Sequence, residues 1–190
     1  MTILRFDDLK AVPWKNGLGI TREIAVFPNG AGMDDFLWRA SIADVDTASP
    51  FSVFPGIDRT IVLLEGDGFT MTLDGEREHA LTEPCVPFAF AGEARVEVRL
   101  ANGATRDFNL MVRRGEAEGD ILVLRGPGTI DLDADIVLVY VAHGEGRAND
   151  RPIASGDTVF QPQGIELGEG TVALAIRLRP SRTGSAPTLR

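Results

Sequence analysis

The chain has 190 residues, 44% hydrophobic and 25% charged, enough apolar mass for one large domain or two small barrels sharing a core. Its net charge of −9 argues against sequence-independent binding to nucleic acid, which needs a basic surface, but is compatible with a local basic pocket for a small anion. No apolar run approaches the roughly 20 residues of a membrane-crossing helix, and Met1–Lys10 lacks the basic and apolar zones of a signal peptide.

The first unusual segment is Pro13-Trp14-Lys15-Asn16-Gly17-Leu18-Gly19-Ile20-Thr21-Arg22-Glu23-Ile24. Lys15 is one of two lysines beside seventeen arginines, a compact flexible charge next to a glycine turn. Gly17 and Gly19 permit positive φ and close approach of backbone to a ligand. The segment reads either as a ligand-contacting turn or as an edge hairpin lidded by Trp14. In Trp38-Arg39-Ala40-Ser41-Ile42-Ala43, strand alternation puts Arg39 and Ser41 on one face and Trp38, Ala40 and Ile42 on the other. Phe51-Ser52-Val53-Phe54-Pro55-Gly56-Ile57-Asp58-Arg59 reads as a turn entering a buried strand, 60–64, where Asp58 and Arg59 either pair with other charges or serve a pocket.

Farther along, Phe69, Met71 and Leu73 alternate with Thr70 and Thr72, and Val96, Val98 and Leu100 with Arg95, Glu97 and Arg99. Cys85, the only cysteine, lies among Pro84, Val86 and Pro87; it reads as structural, and a lone cysteine fits a reducing compartment. In Arg106–Arg113, one face carries Asp107, Asn109, Met111 and Arg113 and the other Phe108, Leu110 and Val112. An acid, an amide and a thioether on one stripe fit a pocket wall, while a charge-satisfied barrel exterior is the competing reading. Val172, Leu174, Ile176 and Leu178 alternate with Ala173, Ala175, Arg177 and Arg179, and turn residues punctuate the chain throughout. The pattern predicts an all-β protein, with a polar tail over Ser181–Arg190 that frays.

A shift of 78 residues superposes Gly66-x-Gly68 on Gly144-x-Gly146, Pro84 on Pro162, Gly92 on Gly170 and Arg99-Leu100 on Arg177-Leu178. A strand, a Gly-x-Gly turn and a second strand, used twice, resemble the cupin barrel in duplicate. Catalytic cupins hold a metal through a His-x-His pair with a Glu and a later His; here only His79 and His143 occur, 64 residues apart, and read as surface-turn residues. No metal and no cofactor are expected. Lys15, Arg22, Arg39, Arg59 and Arg113 could instead supply cations to a pocket for a small anion.

The four segments containing Pro13–Ile24, Trp38–Ala43, Phe51–Arg59 and Asp107–Met111 closely resemble the HutD/Ves family, over residues 3 to 180. The resemblance implies a bicupin-like fold of double-stranded β-helix barrels (an RmlC-like jelly roll) in two related halves, a cytoplasmic bacterial setting, and an association with histidine utilisation. The halves are expected at 1–115, carrying the motifs, and at 116–180. The family assigns no catalytic residues, so motif chemistry supplies the ligand-binding candidates: Lys15, Asn16, Arg22, Glu23, Arg39, Ser41, Arg59, Asp107 and Asn109. Three functions compete: a regulatory protein binding a small carboxylate such as an acylated glutamate or urocanate, a metal-free isomerase or hydrolase on a similar substrate, and a protein-interaction module. Neither nucleic acid nor a membrane is expected as partner, and a homodimer is left open.

Overall fold

The computed structural model describes residues 1–14 and 16–181. Lys15 and the expected tail from residue 182 onward lie outside the described residues. Ser181, the first residue of that tail, donates its amide to the Glu116 carbonyl at 3.2 Å.

Eighteen strands and one 3₁₀ turn (Phe6–Asp8) form among the described residues. The first ten strands are β1 (Thr2–Leu4), β2 (Ala11–Pro13), β3 (Gly19–Phe27), β4 (Trp38–Val45), β5 (Ile57–Glu65), β6 (Phe69–Leu73), β7 (Arg77–Leu81), β8 (Phe88–Ala91), β9 (Val96–Leu100) and β10 (Thr105–Arg113). The rest are β11 (Ala117–Arg125), β12 (Gly128–Asp131), β13 (Ile136–His143), β14 (Glu145–Ala148), β15 (Arg151–Ala154), β16 (Thr158–Phe160), β17 (Gly164–Leu167) and β18 (Val172–Pro180). One half faces a six-stranded sheet, β2-β3-β4-β10-β5-β8, with a three-stranded sheet, β7-β6-β9. The other faces β1-β16-β13-β18-β11 with β12-β17-β14-β15. Each half is thus a sandwich of two sheets whose hydrogen-bonded ladders do not close into a continuous barrel.

Alternation along the strands sends side chains to different cores. Ile24, Ala40, Ile42, Val62, Phe108, Leu110 and Val112 from the larger sheet of the first half meet Ile121, Leu138, Tyr140, Leu174 and Ile176 from that of the second. This seam joins the halves. Val139, Val141, Ala148, Ile153, Val159, Ile165, Ala173 and Ala175 fill the interior of the second half. In β18, therefore, the alternation of large and small residues is a choice between two buried environments: Leu174 and Ile176 enter the seam, Ala173 and Ala175 the interior. Ile61, Leu63, Phe69, Met71, Leu73, Leu81, Phe90 and Val96 fill only part of the first half's interior.

The N-terminal strand ties the halves together, because β1 pairs with β16 in the second half's sheet. Arg5 then ion-pairs with buried Asp157. The guanidinium carbons of Arg22 and Arg106 lie over the Phe6 ring, 5.1 and 5.0 Å from its centroid.

The internal repeat survives, but with a changing offset. On β10 and β5, Asp107 pairs with Leu63 and Asn109 with Ile61; on β18 and β13, Ala173 pairs with Val141 and Ala175 with Val139. The offset of 78 therefore holds for the paired part of β5 and β13 after the bulge between Ile136 and Leu138, before which it is 77, and has fallen to 66 by β10 and β18. Gly66 and Gly144, both at positive φ, mark the shared part. A Cβ on Gly66 would meet Ala104 O at 2.5 Å and Thr105 Cα at 3.1 Å; one on Gly144 would meet Thr171 Oγ1 at 2.4 Å and Cα at 2.8 Å. Thr105 and Thr171 are equivalent at the offset of 66. The match of Arg99-Leu100 with Arg177-Leu178 is coincidental, since β9 lies in the small sheet while β18 corresponds to β10.

Candidate functional site

The unfilled part of the first half's interior is a cavity of about 470 Å³. Its floor is a grid laid out by the registers of β4, β10 and β5. One row is Ala43, Asp107, Leu63; the next is Ser41, Asn109, Ile61; the third is Arg39, Met111, Arg59. Neighbouring strands lie about 4.8 Å apart, so the two arginines of the third row flank Met111 within about 10 Å, backbone to backbone. The rim comes from loops: Pro13, Trp14 and Asn16 on one side, Ser49–Phe51 and Phe54 on another, and Met33 on a third. Trp14 donates its indole N–H to Thr21 Oγ1 at 2.7 Å, and Asn16 donates Nδ2–H to Ser49 Oγ at 3.1 Å, joining two rim loops. Gly17 adopts positive φ at the hairpin tip. Gly19 has a different constraint: a Cβ there would meet Asp44 O at 2.6 Å and the Trp14 ring at 2.9 Å.

Arg59 is the dominant charge. It is 7% exposed, and its guanidinium carbon lies 4.9, 5.1 and 5.5 Å from the ring centroids of Phe90, Phe51 and Phe54. It donates to Asn109 Oδ1 at 3.2 Å and to the Ser52 carbonyl at 3.3 Å, while buried Nε–H has no partner among the described residues. No carboxylate among the described residues neutralises it. Burial, reinforced by Arg39, lowers its pKa to about 10, which leaves it cationic at neutral pH. Three aromatic faces offset part of the desolvation cost through cation–π attraction. Arg39 is fixed differently, donating Nε–H to Glu23 Oε2 at 2.8 Å and Nη1–H to Ser41 Oγ at 3.3 Å.

Asp107 is the complementary anomaly. It is 1% exposed, and neither carboxylate oxygen has a hydrogen-bond partner among the described residues. Desolvation raises its pKa to about 8; the neighbouring Thr105 hydroxyl, which makes no hydrogen bond of normal geometry to it, opposes the shift and the Asp44 carboxylate adds to it. An ionised carboxylate with no donors is costly in such a place, so the neutral acid is favoured.

Six of the expected residues thus line one cavity: Asn16, Arg39, Ser41, Arg59, Asp107 and Asn109. Glu23 is not among the lining residues and instead holds Arg39. Arg22 is a correction. Alternation in β3 puts it with Ile24 on the seam face, where it ion-pairs with Asp44, which Arg106 also contacts at 2.6 Å. Arg113 holds a neighbouring loop, donating to Phe36 O at 2.9 Å and Asp34 O at 2.6 Å. Phe90 carries no signal in the sequence, and Phe51 and Phe54 read there as part of a turn. The Phe-Ser-x-Phe spacing ahead of Arg59 was the available signal, but only folding brings Phe90 beside them.

The histidines lie elsewhere. His79 is on strand β7, not on a turn, and stacks on Phe88 with centroids 3.6 Å apart; burial and Arg77 lower its pKa. Exposed His143 ends β13. No group of three or more His, Cys, Asp or Glu side chains is placed to hold a metal ion among the described residues. Cys85 is buried in the turn before β8, at positive φ, and donates its amide to Leu63 O at 2.9 Å. No helix among the described residues is long and apolar enough to cross a membrane.

Comparison with known proteins agrees with this architecture. An uncharacterised 21.2 kDa protein from the hutC 3′ region of Pseudomonas putida is 39% identical over 142 residues, covering 75% of this chain and 74% of that one. Protein Ves of Cronobacter sakazakii is 38% identical over 152 residues, covering 78% and 81%. The solved structure of HutD from Pseudomonas fluorescens SBW25 superposes with a TM-score of 0.81 at 32% identity, over 95% of this chain and 98% of that one. An oxalate decarboxylase from Lactobacillus farciminis, at 8% identity and a TM-score of 0.62 over 94% of this chain and 86% of its own, shares the bicupin fold alone. The HutD family profile matches residues 6–179, and the chain therefore belongs to the HutD family.

Proposed function

We propose that this protein binds a small carboxylate metabolite in the first half's cavity and acts in the cytoplasm as a regulatory protein of histidine utilisation. One observation carries the reading: a buried arginine faces a cavity, supported by three aromatic rings and an amide, with no carboxylate among the described residues to balance it. A ligand carboxylate would accept from the guanidinium, including its unpartnered Nε–H, with each charge-assisted bond contributing about 1.5–3 kcal/mol. Arg39 adds a second cation in the same row. The cavity is of the size that suits a compact metabolite, and the acidic overall charge argues for a local anion site over a phosphate-backbone surface. The hutC-region description of the P. putida relative supports the link to histidine utilisation.

The test is thermal stabilisation by N-acetylglutamate, as an acylated glutamate, and by urocanate. A ligand at one hundred times its dissociation constant stabilises by about 2.7 kcal/mol, an easily read shift. Stabilisation should disappear in Arg59→Ala and weaken in Arg39→Ala. No shift with either compound, at concentrations well above a millimolar dissociation constant, would sink the reading.

A further inference from the structure

Arg59 explains why an anion would enter the cavity, but it leaves Asp107 unexplained. An acid at the floor of an anion site looks self-defeating, because its charge would repel the ligand. Its surroundings remove that difficulty. Its register neighbours are Ala43 on β4 and Leu63 on β5; the charged and titratable groups on the surrounding elements are Arg39 on β4 and Arg59 on β5, each two rows away, Glu23 on β3, which holds Arg39, and Asp44 on the reverse face of β4, with the Thr105 hydroxyl on β10 itself. Asp107 ion-pairs with neither arginine: Arg39 is held by Glu23, and Arg59 by Asn109 and the Ser52 carbonyl. With no hydrogen-bond donor at either oxygen among the described residues and almost no exposure, the acid is suited to hold its proton and to offer it as a hydrogen bond.

The grid shows where that bond would point. The Arg59 guanidinium reaches the row of Asn109, and Asp107 stands one row farther along the same face of β10, about 6.8 Å away backbone to backbone. A compact anion with a second oxygen acceptor, such as a dicarboxylate or an N-acyl amino acid, spans that distance. We infer that Asp107 serves the site as a neutral acid, donating its O–H to a second acceptor oxygen of the anion held by Arg59, so that ligand binding requires a proton on Asp107. This rests on the carboxylate-binding reading and adds to it a ligand class and a pH dependence. Arg59 stays cationic through the window in which Asp107 titrates, since their pKa values are about 10 and about 8.

The experiment is calorimetric titration of the full chain with N-acetylglutamate and glutarate, whose own carboxyl groups are ionised throughout, from about pH 6 to about pH 9. Affinity should be flat at the acid end and about tenfold weaker at about pH 9, because only the protonated fraction of Asp107 is competent. Near pH 8, titration in buffers of different ionisation enthalpy should show uptake of a fraction of a proton per ligand bound. Asp107→Asn keeps an N–H donor at the same place and should bind with no such fall. Binding that is lost in Arg59→Leu but is independent of pH in the wild type would overturn this inference and leave the carboxylate-binding reading standing. Proton release, or affinity that rises with pH, would overturn it by showing an ionised Asp107. A full pH dependence retained in Asp107→Asn would assign the proton elsewhere. The buffer series needs no variant, so it decides the matter even if Asp107→Asn fails to fold. Absence of binding by both compounds at every pH would overturn both readings.

Discussion

The two halves place the same strands around their interiors and fill them in opposite ways. At the positions where β18 carries Ala173 and Ala175, β10 carries Asp107 and Asn109; where β13 carries Ile136, β5 carries Arg59; and where β11 carries Leu122, β4 carries Ser41. In the second half these residues pack into an apolar core with Val139, Val141 and Ile165. In the first, polar groups stand around a cavity of about 470 Å³. A duplicated fold needs only one well-packed interior and one good seam to hold it, so the other interior is free to lose packing and carry charge.

This contrast can be attacked directly. The largest effect is expected from placing the first half's acid in the second half's core: Ala175→Asp puts a carboxylate at a fully buried position among Val139, Val141 and Ile165. It should cost more than about 4 kcal/mol or prevent folding, as read by urea denaturation. The next test removes the acid from its native place. Because the folded-state pKa of Asp107 is raised to about 8, the folded protein holds a proton that the unfolded chain releases near pH 4. Stability from this group is fully present below about pH 4 and is lost progressively as pH rises to about 8, at up to about 1.4 kcal/mol per pH unit. Asp107→Asn should abolish that slope in denaturation measured at about pH 5 and about pH 8; an unchanged slope would refute the assignment.

Arg59→Leu makes the first interior resemble the second. It should leave the fold intact and weaken carboxylate binding on the order of 100-fold, or about 2–3 kcal/mol, in titration calorimetry. The smallest effects probe what the halves share. Gly66→Ala and Gly144→Ala each force a side chain into positive φ against a threonine strand, and each should cost about 1–3 kcal/mol in denaturation. Very unequal costs would mean that the two turns are not equivalent.

The motif faces were legible because strand alternation is local. Arg39 with Ser41, and Asp107 with Asn109 and Met111, share faces by spacing alone, and the structure turns those faces into one cavity. Arg22 shows the limit. Its neighbours Thr21 and Glu23 lie on the cavity side, and the alternation was visible, but nothing local says that the opposite face meets a second sandwich. That seam tolerates a guanidinium because Asp44 pairs with it and Phe6, delivered by the N-terminal strap, lies against it. The shifting repeat shows a related limit: Gly66 and Gly144 match at a constant offset, whereas the twelve residues that drop out of the second half before β18 leave no local mark.

The sequence by itself determined the all-β class, the turn glycines and the sorting of side chains onto two faces of each strand, because backbone sterics and a period of two act between near neighbours. Tertiary structure alone decided which face became a core, which became the seam and which was left as a cavity. It also brought Phe51, Phe54 and Phe90 around Arg59 and left Asp107 without a hydrogen-bond donor among the described residues. Burial and the electrostatics that follow from it depend on what lies across the fold, and distant segments of the chain supply it.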